Sequence, residues 1–220
     1  MTHPIASLAA LSTMQADAAA KKETESELIA ILESQSSRKE KADACRKLGL
    51  VGSKNAVPAL AALLGDEELS HMARYGLEPI IDATVDEALR EALGKLKGRP
   101  LVGVVGSLGV RRDRSAVGLL ATLLDNTEAD VAPTAARSLG KIGTPEAAKA
   151  LIGALGTEDA GLRVAVAEGC LDCAEQRLAE GKRDETVALC KAVAKADLPK
   201  HFRIAATQGM LHAQEEPAKP

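Results

Sequence analysis

The sequence predicts an all-α fold in which pairs of helices stack on one another. Three observations support this prediction: the residue composition, one eighteen-residue pattern that occurs three times, and the helical periodicity within each copy. Of the 220 residues, 46% are hydrophobic but only 1% are aromatic, with one Tyr, one Phe and no Trp. Alanine and leucine supply most of the apolar surface, and both are strong helix formers. This composition favours helices over sheets, whose strands use aromatic and β-branched residues.

One pattern recurs as KLGLVGSKNAVPALAALL, SLGVRRDRSAVGLLATLL and SLGKIGTPEAAKALIGAL, which begin at residues 47, 107 and 138. The copies start 60 and 31 residues apart, which indicates a period near 30 with a looser copy between the first two. Periods of this size are typical of solenoids, in which each repeat covers the apolar face of its neighbour. Four aligned apolar positions are expected in the core: Leu48, Leu108 and Leu139; Ala56, Ala116 and Ala147; Leu60, Leu120 and Leu151; Leu64, Leu124 and Leu155.

Each copy reads as helix, turn and helix, because its turn carries signals that start a helix. Ser53, Asp113 and Thr144 occupy one aligned position, and each side chain can cap the second helix. Pro145 follows Thr144 at the first helical position, where proline is well tolerated. The leucine–glycine pair upstream of the turn is predicted to end the first helix.

The residue before each cap is predicted to close the first helix. Gly52 and Gly143 suit the left-handed backbone that often terminates a helix, since glycine has no β-carbon to obstruct it. Arg112 stands at the same place in the middle copy, so that turn is expected to close differently.

The rest of the sequence contains weaker copies of the same unit. Residues 69–98 form the looser copy, in which Pro79 should end the first helix and the second should begin near Thr84. A longer copy follows Thr157, and a half-copy stands at each end of the repeats. One helix pair cannot bury both of its apolar faces, so the pairs must stack along a line. We expect five full pairs and two half-pairs over 25–213, a flexible segment over 1–24 and a disordered tail over 214–220.

The pattern A(x)xxLGxxGxxxAVxALxxLL resembles the HEAT repeat, in the short bacterial variety also found in phycobilin-lyase subunits. The resemblance extends over roughly 25–213 and implies a right-handed α-solenoid of stacked antiparallel helix pairs, whose second helices line a concave groove. It also implies protein binding more often than catalysis. Residues 165–193 are similar to HEAT segments of large bacterial multidomain proteins, some of them secreted and joined to sugar-hydrolase domains.

These features predict a non-catalytic scaffold that binds a protein or peptide partner in the groove, or a docking domain of a larger chain. The alternatives are a subunit of a bilin-lyase-like enzyme and an auxiliary domain of a secreted sugar hydrolase. Tyr75 is the only Tyr of the sequence and Phe202 the only Phe, which argues against a tetrapyrrole pocket lined by aromatic side chains. The pattern predicts neither a catalytic constellation nor a cofactor or metal.

Charge and hydropathy exclude two classes of partner. The formal net charge is −3 and the isoelectric point about 5.9, whereas general nucleic-acid binders are strongly basic. No run of apolar residues reaches the length of a membrane span, about 18 residues. The sequence does not decide whether the protein is cytoplasmic or is periplasmic or secreted. Its first twenty residues can be interpreted either as a frayed segment or as a degenerate signal peptide.

Two groups of residues are candidate binding sites. His71, Arg74 and Tyr75 form a small polar patch on the looser copy, where the pattern already departs from its rule. Arg111, Arg112 and Arg114 share one turn, and arginine binds carboxylates or phosphates with two parallel hydrogen bonds. A solvated helix face and a solvated turn are the alternative interpretations.

Three further features have a structural interpretation beside a functional one. Cys170 and Cys173 form a C-x-x-C on a helix, which favours packing over a redox or metal site. Acidic turns recur between copies and should line one edge of the stack, where carboxylates stabilise the start of the next helix. The final half-copy has an apolar face that nothing covers, so we expect the native chain to continue or this face to form a homodimer.

Overall fold

The computed structural model describes residues 24–128 and 130–214. Almost all of the segment over 1–24 and of the tail over 214–220 therefore lies outside the described residues. The regular elements of the described residues are α1 over 24–33, α2 Arg38–Val51, α3 Val57–Ala61, α4 Ser70–Leu77, α5 Ala83–Leu93, α6 Gly98–Val110, α7 Val117–Thr122, α8 Val131–Ile142, α9 Pro145–Ala154, α10 Ala160–Ala179, α11 Arg183–Lys195 and α12 Lys200–Gln214, with short 3-10 turns at Lys54–Ala56, Arg114–Ala116 and Leu123–Asp125.

The all-α prediction is confirmed for the described residues, which contain no strand. The order of the helices along the chain also matches five pairs with a half-pair before and after them. The chain divides into two compact units, one up to residue 88 and one from residue 89 onwards, and α5 spans this division. The handedness predicted for a continuous solenoid stays a prediction.

In the N-terminal unit, α2 and α3 both pack against α4. A capping box starts α2, because the Ser37 side chain accepts from the Glu40 N–H and the Glu40 carboxylate accepts from the Ser37 N–H. The buried Glu25 of α1 accepts a hydrogen bond of 2.6 Å from the Ser53 N–H. This contact ties α1 to the turn that follows α2.

In the C-terminal unit, the first helices of successive pairs pack in order, with α8 between α6 and α10. The second helices α7, α9 and α11 pack side by side, and α11 also contacts α10 and α12. Side chains link successive first helices: Ser138 of α8 donates to the Val105 carbonyl of α6 at 2.9 Å, and Gln176 of α10 donates to the Gly140 carbonyl of α8 at 2.8 Å. Each helix pair is thus held by both neighbours.

All twelve aligned apolar positions are buried, so the predicted core is confirmed. The leucines at the first and third aligned positions have no exposed surface. They are Leu48, Leu108 and Leu139, and Leu60, Leu120 and Leu151. Burying a leucine side chain contributes about 1.5–3 kcal/mol, and the repeat places this contribution at the same point of each pair. Pro79 lies just beyond the end of α4, as predicted.

The predicted caps are also confirmed. Ser53 accepts from the Asn55 N–H, Asp113 from the Ser115 N–H, and Thr144 from the Ala147 N–H. The first two start 3-10 turns that lead into the short helices α3 and α7, whereas Thr144 caps α9 directly.

The prediction for the closing residues is correct at one position and wrong at two. Gly143 is left-handed, with φ of 67°. Gly52 is extended, with φ of −64°, and a β-carbon there would collide with the Leu48 carbonyl oxygen. Arg112 adopts the left-handed backbone, with φ of 54°, so the middle turn closes like the third copy and the first copy is the exception. Glycine is therefore needed at position 52 because a β-carbon does not fit there, and not because the backbone is left-handed.

The leucine–glycine pair does not end the first helix, because α2, α6 and α8 all run on past the glycine. The glycine instead allows close approach between first helices. A β-carbon on Gly140 would lie 2.6 Å from the Gly169 Cα, and one on Gly109 would lie 2.6 Å from the Ser138 Oγ. Real β-carbons do not approach this closely, so α8 meets α10 backbone to backbone.

We expect Gly140→Ala to destabilise the chain by about 1–3 kcal/mol, because the added methyl overlaps the backbone of α10. Gly153→Ala in α9 is the matched control, since nothing lies within 4 Å of its would-be β-carbon. Alanine at Gly153 should leave stability unchanged or raise it by up to about 1 kcal/mol. Denaturant unfolding followed by circular dichroism measures both, and equal effects of the two variants would refute close packing at Gly140.

Candidate functional site

A groove of about 270 Å³ lies between α9 and α11 on the surface formed by the second helices. Its wall on α9 includes the half-exposed Ile152, and its wall on α11 includes the exposed Ala188. The groove extends along α9 from Pro145 to Ile152 and along the N-terminal half of α11, so the two walls come from adjacent repeats. The lining residues are Pro145, Ala148, Lys149, Ile152, Glu185, Ala188 and Leu189.

The apolar character of this surface continues beyond the groove. Ile152 is 38% exposed, and Leu119 on the neighbouring α7 is 45% exposed. Their neighbours Leu120 and Leu151 are wholly buried and hold each helix in place. A contiguous exposed apolar patch is one mark of a protein-interaction surface.

A cluster of charges lies beside the groove. Arg177 of α10 is buried and forms ion pairs with Glu180 and with Glu185, whose Oε2 lies 3.6 Å from the Arg177 Nε. Glu185 therefore has a cation on its α10 side, and Lys149 on the opposite wall of the groove is exposed. Because Glu180 and Glu185 are both partly exposed, these pairs add modest stability and link the start of α11 to α10.

The three arginines of the predicted turn lie at the start of the second helix α7. Arg112 and Arg114 are exposed and Arg111 is half-buried. The Arg114 Nη2 lies 3.9 Å from the Glu180 Oε1, an exposed pair that adds little stability. The turn itself is held by Asp113, which is buried and pairs with Arg90, a residue that sequence reasoning missed. The anion contact proposed for these arginines stays a prediction.

The polar patch of the looser copy lies on α4 in the N-terminal unit. His71 and Tyr75 are exposed and lie one helical turn apart. Arg74, which precedes Tyr75 in the sequence, is half-buried. Burial lowers the pKa of the Arg74 guanidinium, and the nearby Glu78 carboxylate opposes this shift. The Arg74 Nε is buried and has no hydrogen-bond partner among the described residues. All three residues therefore lie on one helix, and their role as a binding patch stays a prediction.

The acidic turns of the C-terminal unit do line one edge, as predicted. A cleft of about 660 Å³ is lined both by the turn after α7 and by the turn after α9. It includes the carboxylates of Asp125, Glu128, Asp130 and Asp159. Asp159 accepts from the N–H groups of Gly161 and Leu162, so its role at the start of α10 is confirmed.

The four cysteines are buried and carry free thiols. Cys170 and Cys173 lie within α10, where both thiols pack in the core of the C-terminal unit. Burial raises the pKa of the Cys170 thiol to about 12 and that of Cys173 to about 11. Because the thiolate is the reactive and metal-binding form, these shifts favour packing over chemistry.

We expect all four thiols of the native protein to react slowly with a thiol-specific disulfide reagent at pH 8 and quickly after unfolding. Burial limits access, and the raised pKa values leave few thiolates. Thr207→Cys on the exposed face of α12 is the matched control and should add one fast-reacting thiol. Rapid reaction of any wild-type thiol would contradict the packing interpretation.

No group of three or more His, Cys, Asp or Glu side chains in the described ranges could hold a metal ion. Among the helices of the described residues, none is both long enough and apolar enough to cross a membrane. On α12, Ile204 and Leu211 are about half exposed. Dimerisation through that face stays a prediction.

Three solved structures are similar to this chain. An engineered protein is similar to this chain with a TM-score of 0.52 at 18% identity, covering 87% of this chain and 96% of that chain. The complex of CpcE and CpcF of phycocyanin lyase from Nostoc sp. PCC7120 gives a TM-score of 0.44 at 24% identity, covering 87% and 76%. A second engineered protein gives 0.46 at 18%, covering 87% and 61%.

At 18% identity, the first of these likenesses extends to the fold alone. No curated protein matches the chain. The family model described as HEAT repeats matches residues 87–172, which include the second and third copies of the eighteen-residue pattern. Residues 87–172 of this chain are therefore similar to HEAT repeats.

Proposed function

We propose that this chain is a non-catalytic scaffold that binds a protein or peptide partner in the groove between α9 and α11. The observation that supports it most is the exposed apolar lining of that groove, with Ile152 on one wall and Ala188 on the other. Stacked helical repeats present such surfaces on a rigid frame, which lowers the entropy cost of binding. A docking domain of a longer chain would use the same surface.

The chemistry of the groove favours binding over catalysis. Its ionisable side chains are Lys149 and Glu185, and Glu185 is already paired with Arg177. A volume of about 270 Å³ suits one or two apolar side chains of a partner, with Lys149 at the rim to pair with a carboxylate. The lyase-subunit and sugar-hydrolase alternatives remain predictions from the sequence.

Site-specific photo-crosslinking tests this proposal. A photoreactive amino acid at Ala188 places the crosslinker in the groove, and one at the exposed Asp172 of the first helix α10 is the matched control. In an extract of the native cells, we expect a discrete adduct from position 188 and none from position 172. Ile152→Glu should abolish the adduct, because it places a charge in the apolar wall.

Circular dichroism of Ile152→Glu serves as the folding control, since the half-exposed position should tolerate the change. The proposal fails if positions 188 and 172 yield the same adducts, if neither yields one, or if the adduct survives Ile152→Glu in the folded variant.

A further inference from the structure

A cavity of about 180 Å³ lies between α10, α11 and α12 in the C-terminal unit, and we refer to it as the α10–α12 cavity. Its walls include the apolar side chains of Leu171 and Leu178 on α10, Cys190 on α11 and Ala205 on α12. No residue lines both this cavity and the groove between α9 and α11. The two are therefore separate features of the C-terminal unit.

The glycines of the first helices show that α12 packs differently from the helices before it. Residues 203–205 read Arg-Ile-Ala and match residues 163–165, Arg-Val-Ala, so Gly209 of α12 takes the position of Gly169 in α10. A β-carbon on Gly169 would collide with a backbone carbonyl of α8. Among the described residues outside α12, one on Gly209 would have only the Cys190 Sγ within 4 Å. At this point α12 does not reach the backbone of α10, which leaves space for the cavity.

Cys190 stands where other helix pairs have a leucine. A β-carbon on Gly76 of α4 would lie 2.9 Å from the Leu60 Cδ2 of the preceding second helix. One on Gly169 would lie 3.0 Å from the Leu151 Cδ2. The corresponding neighbour of α12 is the Cys190 Sγ, at 2.7 Å. Cysteine has a shorter side chain than leucine and no branch, so volume that the leucine fills in the other pairs stays empty in the last one.

The polar groups that a ligand could reach lie at the opening of the α10–α12 cavity. Glu175 of α10 and Gln208 and His212 of α12 line it, are exposed and can form hydrogen bonds. The hydroxyl of the buried Thr186 already donates to the Ala174 carbonyl at 3.1 Å. A ligand would therefore meet apolar side chains inside and hydrogen-bonding groups at the opening.

The lining of the α10–α12 cavity favours a neutral ligand. Among the described residues that line it, none is Lys or Arg, and Glu175 is the one carboxylate. An anionic group would leave water without a permanent cation to pair with, which is costly. A cationic group could pair with Glu175, but a pair with an exposed carboxylate adds little stability.

We propose that the α10–α12 cavity binds a small neutral molecule that has one apolar ring and one hydroxyl group. An apolar cavity of about 150 Å³ is large enough to bind benzene, so this cavity accommodates a single ring. The ring packs between Leu171, Leu178 and Cys190, and the hydroxyl forms a hydrogen bond with Glu175 or Gln208. The bound molecule bridges α10 and α12 where their backbones do not meet.

Three benzyl compounds that differ in their polar group test the proposal: benzyl alcohol, benzylammonium and benzoate. Each is titrated into the isotope-labelled chain, and the amide chemical shifts report both affinity and location. We expect benzyl alcohol to bind with a Kd of about 1 mM or below and to shift amides of α10 and α12. Benzylammonium and benzoate should bind at least about fivefold more weakly, because their charges lose hydration without compensation.

Two variants fill the α10–α12 cavity from opposite walls. Cys190→Leu introduces the side chain of the other pairs, and Ala205→Leu narrows the cavity from α12. Each should weaken the binding of benzyl alcohol at least about tenfold, because the ring loses its space. Circular dichroism checks folding, and the second variant provides the test if the first does not fold. Ala188→Leu, an exposed position of α11 outside the cavity, is the matched control and should bind within about twofold of the wild type.

Native-state hydrogen exchange provides a second readout. If the bound molecule bridges α10 and α12, benzyl alcohol at ten times its Kd should slow exchange of the α12 amides about tenfold. The same concentration should leave exchange in the Cys190→Leu variant unchanged.

The proposal is overturned if benzyl alcohol does not bind, or if either charged compound binds as tightly. Undiminished binding to a folded Cys190→Leu or Ala205→Leu variant would also overturn it. So would chemical shift changes centred on α9, or α12 amides that exchange at the same rate with and without the ligand.

Discussion

Backbone contact between successive first helices is the constraint on which the C-terminal unit depends. Gly140 of α8 meets Gly169 of α10, and Gly109 of α6 meets Ser138 of α8, at distances that leave no room for larger side chains. Because the axes lie this close, leucines of neighbouring helices reach full burial without help from aromatic residues. A chain with only 1% aromatic residues can therefore build a closely packed core.

The same spacing determines the shape of the proposed binding surface. When the first helices are held at a fixed distance, the second helices must also lie side by side, and the gap between α9 and α11 becomes the groove. Arg177 adds a polar constraint, because its pairs with Glu180 and Glu185 link the start of α11 to α10. The groove is thus shaped before any partner arrives, which is the condition under which apolar contacts contribute most to affinity.

The sequence predicts the repeated core well, because each of its positions is repeated three times at helical spacing. It predicts the backbone less well. At Arg112, tertiary contacts outweigh local preference: the buried Asp113 pairs with Arg90 and holds the turn, so a non-glycine residue tolerates the left-handed region. The groove depends on the distance between α9 and α11, which cannot be predicted from the spacing of residues within one helix.

Mutual dependence of neighbouring helices is the central claim, and native-state hydrogen exchange tests it most directly. The comparison is between the wild type and Leu139→Ala, which removes a wholly buried side chain from α8. If the helices stabilise one another, backbone amides of α6 and α10 lose protection together with those of α8. Wild-type protection in α6 and α10, with loss confined to α8, would contradict the account.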